Sequence, residues 1–265
     1  MVRCPEIPEF PLLASSGFQT SVVHWMLAAE VASSLDTGQE PDGATAAGFV
    51  SEVMRRVEAF WREDSGTVQA SAQRIAELVL RGGQYWTGGR SNAVVSEITA
   101  ANQPRMCGRS WTRGGEHSWP RERSAGGDTD TCVIVSQSSG PGEATLNGAA
   151  LPSLEEELQW AEAAREAGNF VIGIGPEDHS KLSAACDTYL SNRCSEPEGI
   201  VEVGGEMICP ATGIVNCIIM QSLIAQVVDE MCARGAVPYA LLGVYRTQGR
   251  AYNEAMAGFF EARGY

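Results

Sequence analysis

The hydrophobic pattern along the chain changes its period once. Over the first eighty residues, apolar positions recur at helical spacing. Gln19 to Leu35 reads as one helix, and Asp36 to Gly43 follows as a loop rich in Gly, Asp and Pro. Phe49, Val50, Val53, Val57, Phe60 and Trp61 predict a helix over 46–63. Val68, Ile75, Leu78 and Val79 predict another over 67–81, closed by Arg81-Gly82-Gly83. Beyond this point short apolar runs alternate with helical segments. Gln84 to Thr87 is a strand candidate, followed by a helix from Ser91 through Ala101. Thr131-Cys132-Val133-Ile134-Val135 and Phe170-Val171-Ile172-Gly173-Ile174 are unbroken apolar runs, the pattern of strands covered on both faces. Between them, Ser153-Leu154-Glu155-Glu156 is a capping box that opens a helix ending at Gly168. Thr188 to Leu190, Ile200 to Val203 and Tyr239 to Val244 are short strand candidates. Helices are expected over Ala211 to Arg234 and Arg250 to Ala262. Strand–helix alternation of this kind predicts an α/β fold, a parallel sheet with helices on both faces.

Composition narrows the chemistry. The 265 residues are 44% hydrophobic and 20% charged, a globular balance. With 33 acidic against 19 basic residues the formal charge is −14, the wrong sign for tracking a phosphate backbone, so nucleic acid is not an expected partner. The longest apolar stretch, Ile214 to Val228, is interrupted by Asn216, Gln221, Ser222 and Gln226; it reads as a buried helix, and no membrane is expected. Eight cysteines without a Cys-x-x-Cys pair, several within apolar runs, read as free thiols of a reducing, cytoplasmic compartment. No signal peptide is legible at the N-terminus. Lys181 is the sole lysine, which excludes a Walker-type P-loop. The three histidines, His24, His117 and His179, are too far apart for a local zinc-ligand pair, and no metal or other cofactor is expected.

In a parallel sheet, ligands bind where strands turn into helices. The first such turn is Thr87-Gly88-Gly89-Arg90-Ser91. Its glycines let backbone approach an anion, and Ser91 can cap the helix or donate to a phosphate. The second, Ser136-Gln137-Ser138-Ser139-Gly140, offers hydroxyls and N–H groups as a phosphate cradle without a lysine. The third places His179 two residues from Lys181, bringing a proton-transfer group or a cation to the same place. From Cys107 to Asp130 runs a stretch rich in Gly, Arg, Ser and Trp, with His117 and Arg109, Arg113, Arg121 and Arg123 as further candidates for an anionic ligand.

The ordered set resembles a family. A Gly-Gly-x-Ser turn is followed by an apolar strand into a serine-rich turn, then a helix and a Val-Ile-Gly-Ile strand. His179-Ser180-Lys181-Leu182 then leads to Ala185-Cys186-Asp187, and Cys209-Pro210-Ala211-Thr212 opens a long helix. This is similar to the sugar isomerase (SIS) domain of phosphosugar isomerases and phosphosugar-binding regulators, above all the phosphoheptose-isomerase-like proteins of bacteria. The resemblance implies a three-layer αβα sandwich with a flavodoxin-like sheet. It divides the chain into an N-terminal helical extension, 1–45, and a SIS domain, 46–265, whose helices over 46–81 pack on a core over 84–265. It implies a phosphosugar ligand, held at the phosphate by Gly88, Gly89, Ser91, Ser136, Ser138, Ser139 and Gly140 and elsewhere by Lys181 and Thr212. The helix over Ala211 to Arg234 is apolar on most sides and the N-terminal helices have broad apolar faces, which together with the resemblance predicts a homodimer or homotetramer. Aldose–ketose isomerisation needs a base near C1 and C2. Glu97, six residues into the helix that Ser91 opens, is the first candidate, with Glu143 as alternative and His179 as partner. The long helix lacks the histidine that phosphoheptose isomerases use as acid/base. A non-catalytic phosphosugar sensor therefore stands beside the isomerase as the second expectation.

Overall fold

A computed structural model describes residues 16–91, 105–106, 109–110, 128–137, 145–146, 149–150, 152–195, 198–241 and 247–263. Its helices are α1 (Ser16–Thr37), α2 (Ala44–Leu80), α3 (Leu154–Glu166), α4 (Ser180–Ala185), α5 (Thr212–Ala233) and α6 (Gly249–Arg263). Its strands are β1 (Tyr85–Gly88), β2 (Arg105–Met106), β3 (Arg109–Ser110), β4 (Thr131–Val135), β5 (Thr145–Leu146), β6 (Ala149–Ala150), β7 (Phe170–Gly175), β8 (Thr188–Ser191), β9 (Gly199–Val203), β10 (Glu206–Pro210) and β11 (Ala240–Leu241).

The main sheet has the order β3-β1-β4-β7-β8, and every pairing in it is parallel. Alternate residues of the central strands face opposite layers. On one side Val133, Val135, Ile172 and Ile174 pack with α2 and α5 residues such as Ile75, Val79, Ile219 and Leu223. On the other, Trp86, Cys132, Ile134 and Val171 pack with Trp160, Ala161 and Ala164 of α3 and Leu182 of α4. This is the expected α/β architecture, an αβα sandwich whose sheet is buried on both faces. Helix α5 is long and apolar enough to cross a membrane, but most of it is buried inside the fold against α2 and the sheet. It is a core helix.

Several details depart from the sequence reading. The two helices expected over 46–63 and 67–81 are one. Phe60, Val68, Ala72, Ile75, Ala76 and Val79 keep one buried stripe running across Gly66, and the packing of that stripe outweighs the roughly 1 kcal/mol that a mid-helix glycine costs. Asp64, in the middle of the expected break, is ion-paired to Arg193 beyond β8. Glu30 of α1 supplies what α2 lacks at its start. Its carboxylate accepts the N–H groups of Asp42, Gly43 and Ala46 at 2.8–3.0 Å, and these bonds hold it below its ordinary pKa.

The segment over Ile200 to Val203 does not join the sheet. With β10, which sequence reading missed, it forms an antiparallel hairpin that turns through Gly204-Gly205 and packs on α1 and α2. Cys209 and Pro210 belong to the end of β10, so the long helix begins only at Thr212. Within the expected long loop, β3 adds an edge to the sheet beside β1. β11 pairs with β2, and only over Ala240–Leu241. The helix expected over 91–101 lies outside the described residues.

Two glycines have opposite roles. Gly66 sits in α2 with open space where a Cβ would be. Gly89 has φ 132°, and a Cβ there would lie 2.2 Å from the Val135 carbonyl oxygen. Gly66→Ala should stabilise the protein by about 0.5–1 kcal/mol. Gly89→Ala should cost on the order of 2–4 kcal/mol, because the clash is with backbone. Urea unfolding of both variants tests this; equal midpoints would contradict it.

Candidate functional site

The strand order sets the place of the site. From β1 the chain leaves toward β3; from β4 it leaves the other way, toward β7. Loops that part in this manner open a crevice at the carboxyl ends of the two strands between them. Here those ends are Gly88 of β1 and Val135 of β4, and the residues that follow are Gly89-Arg90-Ser91 and Ser136.

The crevice floor is polar and closed to water. Ser91, Ser136, Glu157, Asn192 and Asn216 are each 0% exposed, Arg90 is 5% and His179 7%. Buried polar groups cost several kcal/mol unless they bond to one another, and these do. Asn216, in the second turn of α5, is a hub. Its Nδ2 donates to Ser91 Oγ at 3.1 Å and to the Ser136 carbonyl at 2.7 Å. Its Oδ1 accepts from Asn192 Nδ2, beyond β8, at 2.8 Å. One amide thereby ties the ends of β1, β4 and β8 to the start of the core helix. Ser91 N–H donates to the Val135 carbonyl at 2.9 Å, and Ser136 N–H to that of Ile174 at 2.7 Å.

Glu157 is a second hub, reached from the opposite layer. The capping box at Ser153 forms as expected: Ser153 Oγ accepts from Glu156 N–H at 3.1 Å, and Glu156 Oε2 from Ser153 N–H at 2.7 Å. The cap fixes the phase of α3, and Glu157 then falls on the buried face with Trp160, Ala161 and Ala164. Its Oε1 accepts the backbone N–H of Arg90 at 2.6 Å. Its Oε2 lies 2.5 Å from Ser136 Oγ, which is also 3.1 Å from His179 Nδ1. Burial pushes the Glu157 carboxyl up to about 8; the Ser136 hydroxyl, the Arg90 N–H and the Arg90 charge only partly offset it. Burial likewise lowers His179, helped by the Arg90 guanidinium and opposed by Asp178. The site therefore holds a carboxyl and an imidazole that are both largely neutral at pH 7, beside a permanently charged guanidinium. Among the described residues no carboxylate lies within ion-pair distance of Arg90, and its buried Nε has no hydrogen-bond partner.

Of the residues picked from sequence, the structure brings together Ser91, Ser136 and His179. Gly88 pairs with Ile134 as the last residue of β1, and Gly89 is the point of close approach between β1 and β4. Thr212 is buried at the start of α5, one turn before Asn216. Lys181 lies exposed on α4 and makes no described contact with the cluster. Glu97, Ser138, Ser139, Gly140, Glu143 and His117 lie outside the described residues. Sequence reading missed Arg90, Glu157, Asn192 and Asn216 as site residues. Two of these carried a signal: Glu157 is a carboxylate on the apolar stripe of its helix, and Asn216 an amide inside an apolar run. Among the described residues no group of His, Cys, Asp or Glu could hold a metal ion.

Comparison with known proteins adds little. No family model matches the chain, and no curated protein matches it. Among solved structures it is similar to the NanR protein of Vibrio vulnificus complexed with ManNAc-6P. That match has 13% identity, covers 94% of this chain and 93% of that one, and has a TM-score of 0.36, too low to equate the two folds.

The raised Glu157 has a consequence for stability. The folded state keeps this proton between pH 4.5 and about 8, whereas the unfolded chain has released it, so stability falls as pH rises through that window. The loss is on the order of 4 kcal/mol once pH exceeds 8. Glu157→Gln removes the titration and keeps the acceptor for Arg90 N–H. Its stability relative to the parent should rise steadily from pH 5 to pH 9 in urea titrations; parallel curves would refute the burial of a titrating carboxyl here.

Proposed function

We propose that the protein binds a phosphorylated sugar at the carboxyl ends of β1 and β4. The observation that supports this most is the buried Arg90 guanidinium without a described counter-charge, set beside serine hydroxyls at a topological switch point. A buried cation is costly unless an anion joins it, and a phosphate dianion answers that need. Gly89 contributes indirectly: without a Cβ it lets the first turn pack against the Val135 backbone, which sets the spacing of the two turns. In this reading Ser91 and Ser136 shape the cradle, Arg90 supplies charge, and Ser138, Ser139 and Gly140 complete the second loop. The sequence resemblance to SIS domains supports the same ligand class and the division into 1–45 and 46–265.

Binding without turnover is the reading we favour. The described carboxyl at the site, Glu157, is saturated by Arg90 N–H and Ser136 Oγ, with no exposure through which to reach a sugar carbon. The isomerase reading places the base on Glu97 or Glu143, with His179 assisting, and the neutral imidazole favours it. The free thiols at Cys132, Cys186, Cys194 and Cys209 suit a reducing compartment, so a cytoplasmic location belongs to the same reading.

A thermal-shift screen of aldose and ketose phosphates finds the ligand, because what binds only the native state raises its apparent stability. Arg90→Gln should then weaken the hit on the order of 10- to 100-fold, matching about 1.5–3 kcal/mol for a charge-assisted bond. Unchanged affinity would remove Arg90 from the site. Incubating the hit in deuterated water separates the two readings: deuterium at the carbon next to the carbonyl marks an enediol and isomerase chemistry, and its absence marks a sensor.

We also propose a homodimer or homotetramer formed through α1. Val23, Leu27, Val31 and Leu35 are exposed at a spacing of four, Leu35 at 80%, and form one apolar stripe along this helix. Light scattering at micromolar concentration should give a multiple of the chain mass, and Leu27→Glu should reduce it. A parent protein that is monomeric at that concentration would overturn this.

A further inference from the structure

The hydrogen bonds around Ser136 have two self-consistent proton arrangements. The Ser136 hydroxyl has one hydrogen and two neighbours, Glu157 Oε2 at 2.5 Å and His179 Nδ1 at 3.1 Å. If Glu157 is protonated, Oε2–H donates to Ser136 Oγ and the Ser136 hydroxyl donates to Nδ1, so the ring hydrogen of a neutral His179 sits on Nε2. If Glu157 is ionised, the Ser136 hydroxyl turns to the carboxylate. Nδ1 must then carry the hydrogen to donate back to Oγ, and Nε2 becomes an acceptor. With Glu157 and Ser136 fully buried and Oε1 committed to Arg90 N–H, no other described group can take the place of a missing donor in the chain.

We propose that Glu157, Ser136 and His179 form a proton relay in which the buried carboxyl sets which nitrogen of His179 bears the hydrogen, and so whether the ring offers a phosphate ester a donor or an acceptor. The step balances. A proton arriving at Nε2 releases the Nδ1 hydrogen to Ser136 Oγ, and the Ser136 hydroxyl hydrogen passes to Glu157 Oε2. The imidazole stays neutral, and the carboxylate becomes a carboxylic acid. The charged and titratable groups that face the chain are Arg90 from the β1 turn, Glu156 on α3, Asp178 before α4, Cys186 after it and Tyr189 on β8. The Arg90 charge opposes an imidazolium, which makes Glu157 the better resting place for the proton. Glu157 is thus a positioning residue that acts through His179. The ligand part of this inference rests on the strand-end binding reading; the relay itself does not.

The test uses the whole protein with 15N-labelled histidine, and His179 is assigned by loss of its signals in His179→Gln. In the ligand-free protein, Nε2 should be pyrrole-like at pH 6.5 and pyridine-like at pH 9.5, with a midpoint near 8. Glu157→Gln, whose amide donates to Ser136 Oγ as a carboxylic acid would, should hold the low-pH tautomer throughout. Ser136→Ala should uncouple the ring from Glu157 and erase the transition, a second route to the answer if the glutamine variant does not fold. A single tautomer at all pH values in the parent, or a transition unmoved in both variants, overturns the relay. Inorganic phosphate then probes the site: the parent should lose at least tenfold more affinity than Glu157→Gln between pH 7 and 9.5. The tautomer transition without any phosphate binding at either pH would sustain the relay and refute the ligand reading. Binding whose pH dependence is the same in both proteins would overturn the coupling between Glu157 and the ligand.

Discussion

The burial of Glu157 constrains most of what surrounds it. A carboxyl with no exposure must find partners for both oxygens, and on α3 it can find them only where β1 and β4 end. Meeting that demand fixes the Arg90 backbone and the Ser136 side chain from one layer of the sandwich. Asn216 fixes the Ser91 hydroxyl and the Ser136 carbonyl from the other. The two strand-end turns are therefore gripped from both faces of the sheet. Ser136 takes part in both grips, by its hydroxyl on one side and its carbonyl on the other. Partial removal of such a network is costlier than its absence, because each lost partner leaves an unpaired buried group.

The backbone prepares the place where this happens. Parallel order with departures in opposite directions from β1 and β4 is the arrangement in which strand ends leave a crevice between them. Gly89 narrows the gap by letting β1 run against the Val135 carbonyl, a distance that a side chain would forbid. At β8, Arg193 has φ 58°, an uncommon state for a non-glycine residue. It follows Asn192, whose amide holds Asn216, and its guanidinium pairs with Asp64 of α2 and with Glu177. An unfavourable backbone angle is thus accompanied by ion pairs to two other elements, one residue from the asparagine that holds the Asn216 hub.

How much of this the sequence reveals depends on the range of the forces involved. The buried strands, the capping box at Ser153 and the span of α5 were legible, because periodicity and caps are local. The unity of α2 was not: its continuity is decided by α5 and the sheet packing along the whole stripe. The β9–β10 hairpin was half legible, since Ile200 to Val203 alternates but nothing local says which partner it takes. Of the site, Ser91, Ser136 and His179 could be found because each sits in a turn after a strand. Glu157 and Asn216 sit within helices, where a polar residue normally faces water. Only their phase relative to Trp160, Ala161 and Ala164, or to Val215, Ile219 and Leu223, shows that they face inward.

That contrast bears on what the site is for. A carboxyl and an amide placed on the inner faces of two helices add no apolar contact and require a full set of partners, so a fold selected for stability alone gains nothing from them. What they supply is definition: two turns held at fixed separation beside the Arg90 guanidinium, with the one described carboxyl among them, Glu157, kept largely neutral at pH 7 by burial. For a weakly polar or cationic ligand this arrangement would be a penalty without return, since Arg90 would stay without a counter-charge among the described residues. For a phosphate ester it is the reverse, as the anion restores neutrality to a site whose carboxyl has been kept neutral by burial. A Glu157 carboxyl kept neutral beside Arg90 is thus the ground on which the proposed anionic ligand rests.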